Sequence, residues 1–502
     1  MLRVLFCLNG PNAVNGPNVW LTRHIPLLAK KDIEPIVLYL NENPKMPCRF
    51  RGLLEEAGIQ TVPVTINRFN EENIRAIVKA AGSLAPDIFV PNYSVPGYFA
   101  ARFLKESGVL TIGTLHSDDP YYHDIVDTFV SGLSRWRLSG VVSVSEYLST
   151  LLEKRINTEL PFLYAPYGAP IPDRTARWMP DQFRMIYSGR FVVRQKKIHR
   201  VVAAMGAASM RVPAAEGILY GDGPERQKIE KSLKAWNGRV RIGGLLAPGE
   251  VQTAMLRGQA FVLLSDFEGL SIALMEAMAC GLVPIVTSMR SGVADLVEDG
   301  VTGMIVPKDD PSAFADAVER LASDRLLWKR LSNAARQAVI DRGFTSEICA
   351  DRWANFLSDI AARRGKRTRD LEIPRLDQLN LPPPSTRPGG IRVEDRRVYW
   401  RRLHSALEAG RPFFLWGAGV AGEGALSTLK QNRIPIKGFI DSDPAKKGRF
   451  LQRIRIHSPE QFSSLIGKKP RPFVMITSIF EKEIARSLDA MGMRKGRDYI
   501  SS

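Results

Sequence analysis

Short apolar runs rich in β-branched residues alternate along the chain with stretches of helical spacing. Leu2–Leu8 is an apolar run broken only by Arg3 and predicts a buried strand. A Gly/Pro/Asn loop follows, then helical spacing from about Val19 to Lys30 and a strand at Ile36–Leu40. The pattern repeats as Asp87–Val90, a helix near Phe99–Glu106, Val109–Leu115, a helix near Tyr122–Trp136, and Gly140–Val144. A proline-rich stretch at 170–180 closes this first series. A second begins at Phe183, with strands near Arg184–Ser188, Gly217–Tyr220, Val240–Ile242, Phe261–Leu264 and Val283–Val286. It ends in helices near Pro311–Ala322, Leu326–Ile340 and Ser346–Ala362. Strands alternating with helices predict βαβ units and parallel sheets.

Residues 363–369 form a basic run, and Leu381–Gly390 contains three consecutive prolines and a Gly-Gly pair. Such a stretch continues neither helix nor sheet and reads as a linker. A third series then opens with a basic helix at about Val393–Ala409, a strand at Pro412–Trp416, a glycine turn, a helix and a strand at Ile436–Ile440. The chain is therefore expected to be α/β, with domains at 1–175, 176–362 and 393–502 and a linker at 363–392. The tetrapeptide Asn-Gly-Pro-Asn occurs at 9–12 and again at 15–18, which tandem turn chemistry explains.

Composition changes this picture in one respect. The 502 residues carry 70 Lys and Arg against 52 Asp and Glu, a net charge of +18. That balance favours anionic partners: nucleic acid, acidic lipid or phosphorylated substrates. The four cysteines stand far apart, without a CxxC pair or a Cys/His cluster, so neither zinc nor a disulfide framework is suggested. A reducing cytosol fits. The N-terminal apolar run is too short for a signal peptide, and no stretch approaches the roughly 18 apolar residues of a spanning helix. Any membrane contact is expected to be peripheral, on the inner face.

The densest chemistry lies in the second series, in Asp266-Phe-Glu-Gly-Leu-Ser-Ile-Ala-Leu-Met-Glu-Ala-Met-Ala-Cys-Gly281. A strand ends just before it. Ser271 is a candidate N-cap, Gly281 a candidate C′ residue, and Pro284 begins the next strand. Open α/β sheets bind ligands at strand carboxyl ends, and a helix N-terminus offers free N–H groups to a diphosphate. Glu268 on the loop can face a sugar, and Glu276 on the helix can accept from ribose hydroxyls. The competing reading is two solvated acids flanking a core helix.

This segment resembles the donor-site signature of retaining GT-B glycosyltransferases of family 4, with Glu268 and Glu276 as its E-x7-E pair. Ser188-Gly-Arg-Phe191 and Gln195-Lys196 are similar to the family's Gly-Arg…Lys element, in which Arg and Lys grip the donor pyrophosphate. Fixed cations there would stabilise a departing nucleoside diphosphate. Arg190 and Lys196 could otherwise belong to a solvated basic face with Arg194, Lys197 and Arg200. Gly221–Pro224 is similar to the family's GDGP turn, and Asp295 stands where the family usually has glutamate. The resemblance covers residues 1–362 and implies two Rossmann-like domains facing a cleft.

In the first series the match is looser. Asn15-Gly16-Pro17 falls where the family often has a Gly-Gly loop, and the proline removes a donor N–H. The resemblance places a donor-sugar or reaction-centre contact at His116; a strand-end histidine in a turn is the alternative. It further implies front-face displacement, with Arg190, Lys196 and the amides of Gly269, Leu270 and Ser271 stabilising the leaving phosphate. A secure carboxylate nucleophile of the kind retaining glycosidases use is not evident. Asp118-Asp119 and Asp441-Ser-Asp443 are weak metal signals, and no bound metal or tightly held cofactor is expected.

The third series contains Gly417-Ala-Gly419-Val-Ala-Gly422 between strand and helix, with Asp441 after the next strand. That spacing could bring an acid to a ribose hydroxyl. The region resembles the small Rossmann-like domain of sugar-nucleotide-modifying proteins. It reads equally as a nucleotide site and as an accessory fold with an unoccupied turn.

The sequence thus predicts a glycosyltransferase using a UDP-, GDP- or ADP-sugar. Its acceptor would be a glycan or lipid-linked molecule of a surface polysaccharide or lipopolysaccharide, and an acidic membrane surface would be a further partner. Two other classes compete. A basic nucleic-acid-binding protein lacks a binding module in this sequence, so no nucleic acid is expected. A nucleotide-dependent oxidoreductase or epimerase centred on the third series lacks an evident Tyr-x-x-x-Lys pair.

Overall fold

The computed structural model describes residues 1–9, 15–41, 48–66, 70–156, 160–247, 249–289, 291–363, 371–374, 379, 381, 385, 387, 390–391, 402–403, 405–431, 434–478 and 480–501. The chain forms two compact units, residues 1–67 with 72–393, and residues 68–71 with 394–502.

The first unit holds two sheets. One contains β1 (Leu2–Asn9), β2 (Ile33–Asn41), β3 (Gln60–Thr65), β4 (Ile88–Val90), β5 (Leu110–Leu115), β6 (Gly140–Ser143) and β7 (Phe162–Tyr164), in the order β3-β2-β1-β4-β5-β6-β7. Every pairing is parallel. The crossovers are α1 (Gly16–Leu28), α2 (Arg49–Glu56), α3 (Asn70–Leu84), α4 (Val95–Glu106), α5 (Pro120–Ile125) and α6 (Glu146–Glu153). The strand order reverses between β1 and β4, which opens a crevice at their carboxyl ends. β1 is apolar and buried from Val4 to Leu8 because helices cover both faces of the sheet. β3 is the edge strand, half-exposed and carrying Pro63, so its polar sequence gives no strand signal.

The long helix expected at Tyr122–Trp136 is instead three pieces. After α5 the chain makes a wide π turn at Val126–Val130 and a 3-10 turn at Ser134–Trp136. The N–H and hydroxyl of Ser131 both donate to the Val126 carbonyl, at 2.9 and 3.2 Å, and close the turn there.

The second sheet contains β8 (Phe183–Ser188), β9 (Ala215–Tyr220), β10 (Val240–Gly244), β11 (Ala260–Leu263), β12 (Val283–Thr287) and β13 (Met304–Val306), ordered β10-β9-β8-β11-β12-β13. Its helices are α7 (Ile198–Arg211), α8 (Arg226–Leu233), α9 (Glu250–Met255), α10 (Ile272–Ala279), α11 (Pro311–Ser323) and α12 (Arg325–Asp341). The last helix, α13 (Ser346–Ala362), returns to the first sheet, where Trp353 packs on Trp20 of α1 with ring centroids 5.1 Å apart.

The second unit is a third α/β sheet. It contains β14 (Phe413–Trp416), α14 (Val420–Gln431), β15 (Gly438–Ile440), β16 (Phe450–Leu451), β17 (Ile454–His457), α15 (Pro459–Ile466), β18 (Phe473–Ile476), α16 (Glu481–Ala490) and β19 (Tyr499–Ser501). The strand order is β16-β17-β15-β14-β18-β19, parallel except for β16 with β17. Alternate residues of β14 serve two cores, Phe413 and Leu415 on one face, Phe414 and Trp416 on the other. Most of the expected basic helix at 393–409 lies outside the described residues. Among the described residues, no helix is long and apolar enough to cross a membrane.

Candidate active site

The segment after β11 is built as its residues dictate. Ser271 caps α10, its hydroxyl accepting from the Leu274 N–H at 3.3 Å. Such a cap contributes about 1 kcal/mol and fixes where the helix amides begin. Gly269 lies against the end of β5, and a Cβ there would be driven into the carbonyl oxygen of His116. Only glycine permits this approach. The Gly269 carbonyl accepts from the Gly292 N–H at 2.7 Å, while Leu270 is buried beside it. The expected loop residues Gly269, Leu270 and Ser271 therefore stand at the seam between the two sheets.

Glu268 is 4% exposed and fully engaged. Lys196 Nζ donates to its Oε1 at 2.6 Å, and Gln195 Nε2 donates to its Oε2 at 3.2 Å. Gln195 also accepts from Arg190 Nη2 at 2.8 Å. Arg190, Gln195, Lys196 and Glu268 thus form one network at the mouth of the cleft. The sequence reading misses Gln195 as a bridge, because an amide adds no charge to the pattern. The neighbouring cations separate by role. Lys197 and Arg200 bind Asp266 at 2.8 and 3.0 Å and brace the loop. Burial acts to raise the Asp266 carboxyl, but its bonds to Lys197 and Arg200 outweigh that and hold it below the usual range.

Glu276, on α10, is 7% exposed. Its carboxylate is paired with Arg23 of α1, so the two Rossmann-like domains are bridged at this point. Burial pushes the Glu276 carboxyl upward, and Arg23 opposes the shift. Gly16 opens α1, close to Ile272 at the start of α10. Asp295 makes a second bridge, accepting from the Glu146 N–H at 2.8 Å and the Tyr164 hydroxyl at 3.0 Å. Its carboxylate clasps the first sheet, so the shorter side chain has a structural use here.

His116 directly follows β5 and is 5% exposed. Its Nε2 lies 2.8 Å from Asn92 Oδ1 and its Nδ1 lies 3.0 Å from the Tyr167 hydroxyl. Burial pushes the imidazole down to about 3, so it is neutral. With both nitrogens held by protein partners, the ring orients Asn92 and Tyr167, and its carbonyl receives Gly269.

Beside the Arg190–Gln195 edge is a cavity of about 530 Å³. Asn9, Tyr93, Asp119 and Tyr121 line it from the first sheet, and Arg190, Arg194, Gln195 and Phe267 from the second. It is large enough for a sugar unit.

In the second unit, the glycine turn is real. Gly417 takes φ 120°, and a Cβ at Gly422 would strike the Gly417 carbonyl oxygen, while Gly419 faces open space. Asp441 does reach this turn, but its carboxylate is already used. It accepts from the N–H groups of Ala418 and Asp443, at 2.8 and 2.9 Å, and pairs with Lys446 at 3.0 Å.

Residues 174–338 match the family model described as glycosyl transferases group 1. The alpha-D-kanosaminyltransferase of Streptomyces kanamyceticus is 32% identical over 159 residues, covering 31% of this chain and 41% of that protein. The lipopolysaccharide core biosynthesis glycosyltransferase LpsE of Rhizobium meliloti is 29% identical over 172 residues, 34% of this chain and 48% of that one. Each match spans less than half of the relative. Among solved structures, HepE of Anabaena in complex with UDP and glucose superposes with a TM-score of 0.58 at 18% identity, covering 72% of this chain and all of that one. The two facing sheets are the GT-B architecture, and a third α/β sheet follows them.

Proposed function

We propose that the protein transfers a glycosyl group, with retention, from a nucleotide-sugar donor to a glycan or lipid-linked acceptor of a surface polysaccharide or lipopolysaccharide. The observation that carries this reading is the Arg190–Gln195–Glu268–Lys196 network at the capped start of α10, with Glu276 buried on the same helix. The match to glycosyl transferases group 1 spans these residues, and relatives named for lipopolysaccharide synthesis agree with the acceptor class.

In this mechanism the donor diphosphate lies along Arg190, Lys196 and the amides of Gly269, Leu270 and Ser271. These groups oppose the negative charge that grows on the leaving oxygen, and their bonds to Gln195 and Glu268 hold them in place for it. Glu276 accepts from the ribose hydroxyls, and Glu268 faces the sugar. The leaving phosphate takes the acceptor proton on the same face. His116 is a positioning residue that holds the loop contact. A lipid-linked acceptor would bring this basic protein to the inner membrane face.

The test is a donor screen. UDP-, GDP- and ADP-glucose are titrated into the full chain by calorimetry and assayed for slow hydrolysis. One base should bind at micromolar affinity and lose its sugar. A folded protein that binds none of them overturns the reading.

A further inference from the structure

The stretch read from sequence as a linker contributes to the cavity. Gly390 and Ile391 line it alongside Tyr121, Arg190 and Gln195. Their placement is built. The Ser385 N–H donates to the Ile391 carbonyl at 3.1 Å, the Gly390 N–H to the Arg387 carbonyl at 3.0 Å, and the Arg387 N–H to Ser385 Oγ at 3.1 Å. This turn is fastened to the first sheet's domain by Asp124, which ends α5 and is 7% exposed. Asp124 Oδ2 accepts from the Ile391 N–H at 2.7 Å, and its Oδ1 accepts from Arg387 Nη1 at 2.8 Å. Arg387 also pairs with Asp127 at 2.6 Å. Ile391 itself is 5% exposed and joins the main core. A chain segment that merely connected two domains would not bury a charged anchor and a branched aliphatic residue.

A second observation points to a ligand in the same cavity. Tyr121 lines it from the first sheet, next to Asp119 and Pro120. Tyr93 stands 5.2 Å from Tyr121, ring to ring, and is partly exposed. Two adjacent tyrosine rings suit the apolar face of a pyranose.

We propose that Gly390 and Ile391 form one wall of the acceptor site. The acceptor is a pyranose seated on Tyr93 and Tyr121, with its edge against Ile391. Arg387 and Asp124 are positioning residues that hold this wall without touching the sugar. The proposal rests on the glycosyl-transfer reading of the cleft. It adds that acceptor choice depends on a segment beyond both Rossmann-like domains.

The experiment uses the full chain and two assays. Donor hydrolysis without acceptor, on UDP-, GDP- and ADP-glucose, reports the donor side. Transfer to octyl glucoside, galactoside, mannoside and N-acetylglucosaminide reports the acceptor side. Arg387→Ala and Asp124→Asn should hydrolyse donor within about twofold of the parent, yet raise acceptor KM roughly tenfold or change the ranking of the four glycosides. Arg387→Lys should recover most of the parent KM. Unchanged acceptor KM and ranking in both loosened variants overturn the proposal. So does a parent protein that hydrolyses donor but transfers to none of the four. A parent that hydrolyses and binds no donor overturns the glycosyl-transfer reading itself, a separate result. Thermal melting of each variant keeps loss of fold distinct from loss of the wall.

Discussion

Arg23 of α1 closes on Glu276 of α10, so the carboxylate proposed to bind ribose is held by the facing domain. The Arg23 side chain is 27% exposed and that of Glu276 is 9% exposed. In the proposed reading, donor hydroxyls and the guanidinium compete for one carboxylate. The two partners should respond in opposite directions. Glu276→Ala should raise donor KM roughly 10- to 100-fold, the worth of hydrogen bonds to a charged acceptor. Arg23→Ala should lower thermal stability by roughly 1–3 kcal/mol, since it leaves a buried charge unpaired beside a partly exposed gap. Yet it should hold donor KM steady or reduce it. Calorimetric titration with the preferred nucleotide and melting curves check both. Equal loss of affinity in the two variants would place Arg23 in the donor site and refute the competition.

Lys196 and Glu268 form a second buried pair in this site. Lys196→Ala should lower kcat about 100- to 1,000-fold, as for other groups that meet charge developing in a transition state. It should also destabilise the fold by leaving Glu268 without its cation. The double variant Lys196→Ala with Glu268→Gln should regain most of the lost stability, because the stranded charge is gone, while kcat stays low. Single-turnover rates and urea unfolding separate the two effects. If the double variant regains rate along with stability, Lys196 is structural and the leaving-group role fails.

How far this site is legible in the sequence depends on how locally each part is encoded. Glu268, Ser271 and Glu276 lie in one strand–loop–helix segment, so spacing alone places them together. Arg190 and Lys196 sit just after β8, whose strand signal is strong. Gln195 is harder to read, since its bridge to Glu268 spans 73 residues and carries no charge. The Asp124–Ile391 bond spans 267 residues and joins a helix end to a proline-rich stretch, where composition argues only against regular structure. His116 is placed correctly at a strand end, but its neutral, doubly bonded state follows from burial, which spacing does not convey. Edge strands such as β3 and β16 are exposed and short, and therefore leave little apolar pattern.

The glycine turn of the second unit separates two roles for its glycines. Gly422→Ala should destabilise that unit by several kcal/mol, because the new Cβ meets the Gly417 carbonyl with nowhere to move. Gly419→Ala should be nearly neutral for stability, since its surroundings are open. Asp441→Ala should behave like Gly422→Ala in kind, having lost two backbone N–H partners and Lys446. Hydrogen exchange on β14 and β15 in the full chain reads this directly. Should Asp441→Ala leave exchange unchanged, its bonds to the turn carry no weight, and a ribose contact becomes the better account.

Two buried histidines give the fold an acid limit. Burial pushes His24 and His116 each down to about 3, whereas an unfolded histidine titrates near 6.5. Below that value the unfolded chain takes up protons that the folded chain refuses. The stability held above pH 6.5 is therefore lost as pH falls towards 3, by up to about 1.4 kcal/mol per pH unit for each ring. His24 is the ring to replace. It stacks on Trp20 at 5.0 Å, and its Nε2 is buried without a hydrogen-bond partner among the described residues. His24→Phe should match or slightly exceed the parent stability at pH 7.5 and roughly halve the loss between pH 6.5 and 5. His116→Phe should instead cost roughly 1–3 kcal/mol at pH 7.5, because Asn92 and Tyr167 lose their partner. Urea unfolding at pH 5, 6.5 and 7.5 measures all three. Parallel pH slopes for the parent and His24→Phe would show that His24 is protonated in the fold, and the acid limit would then lie elsewhere.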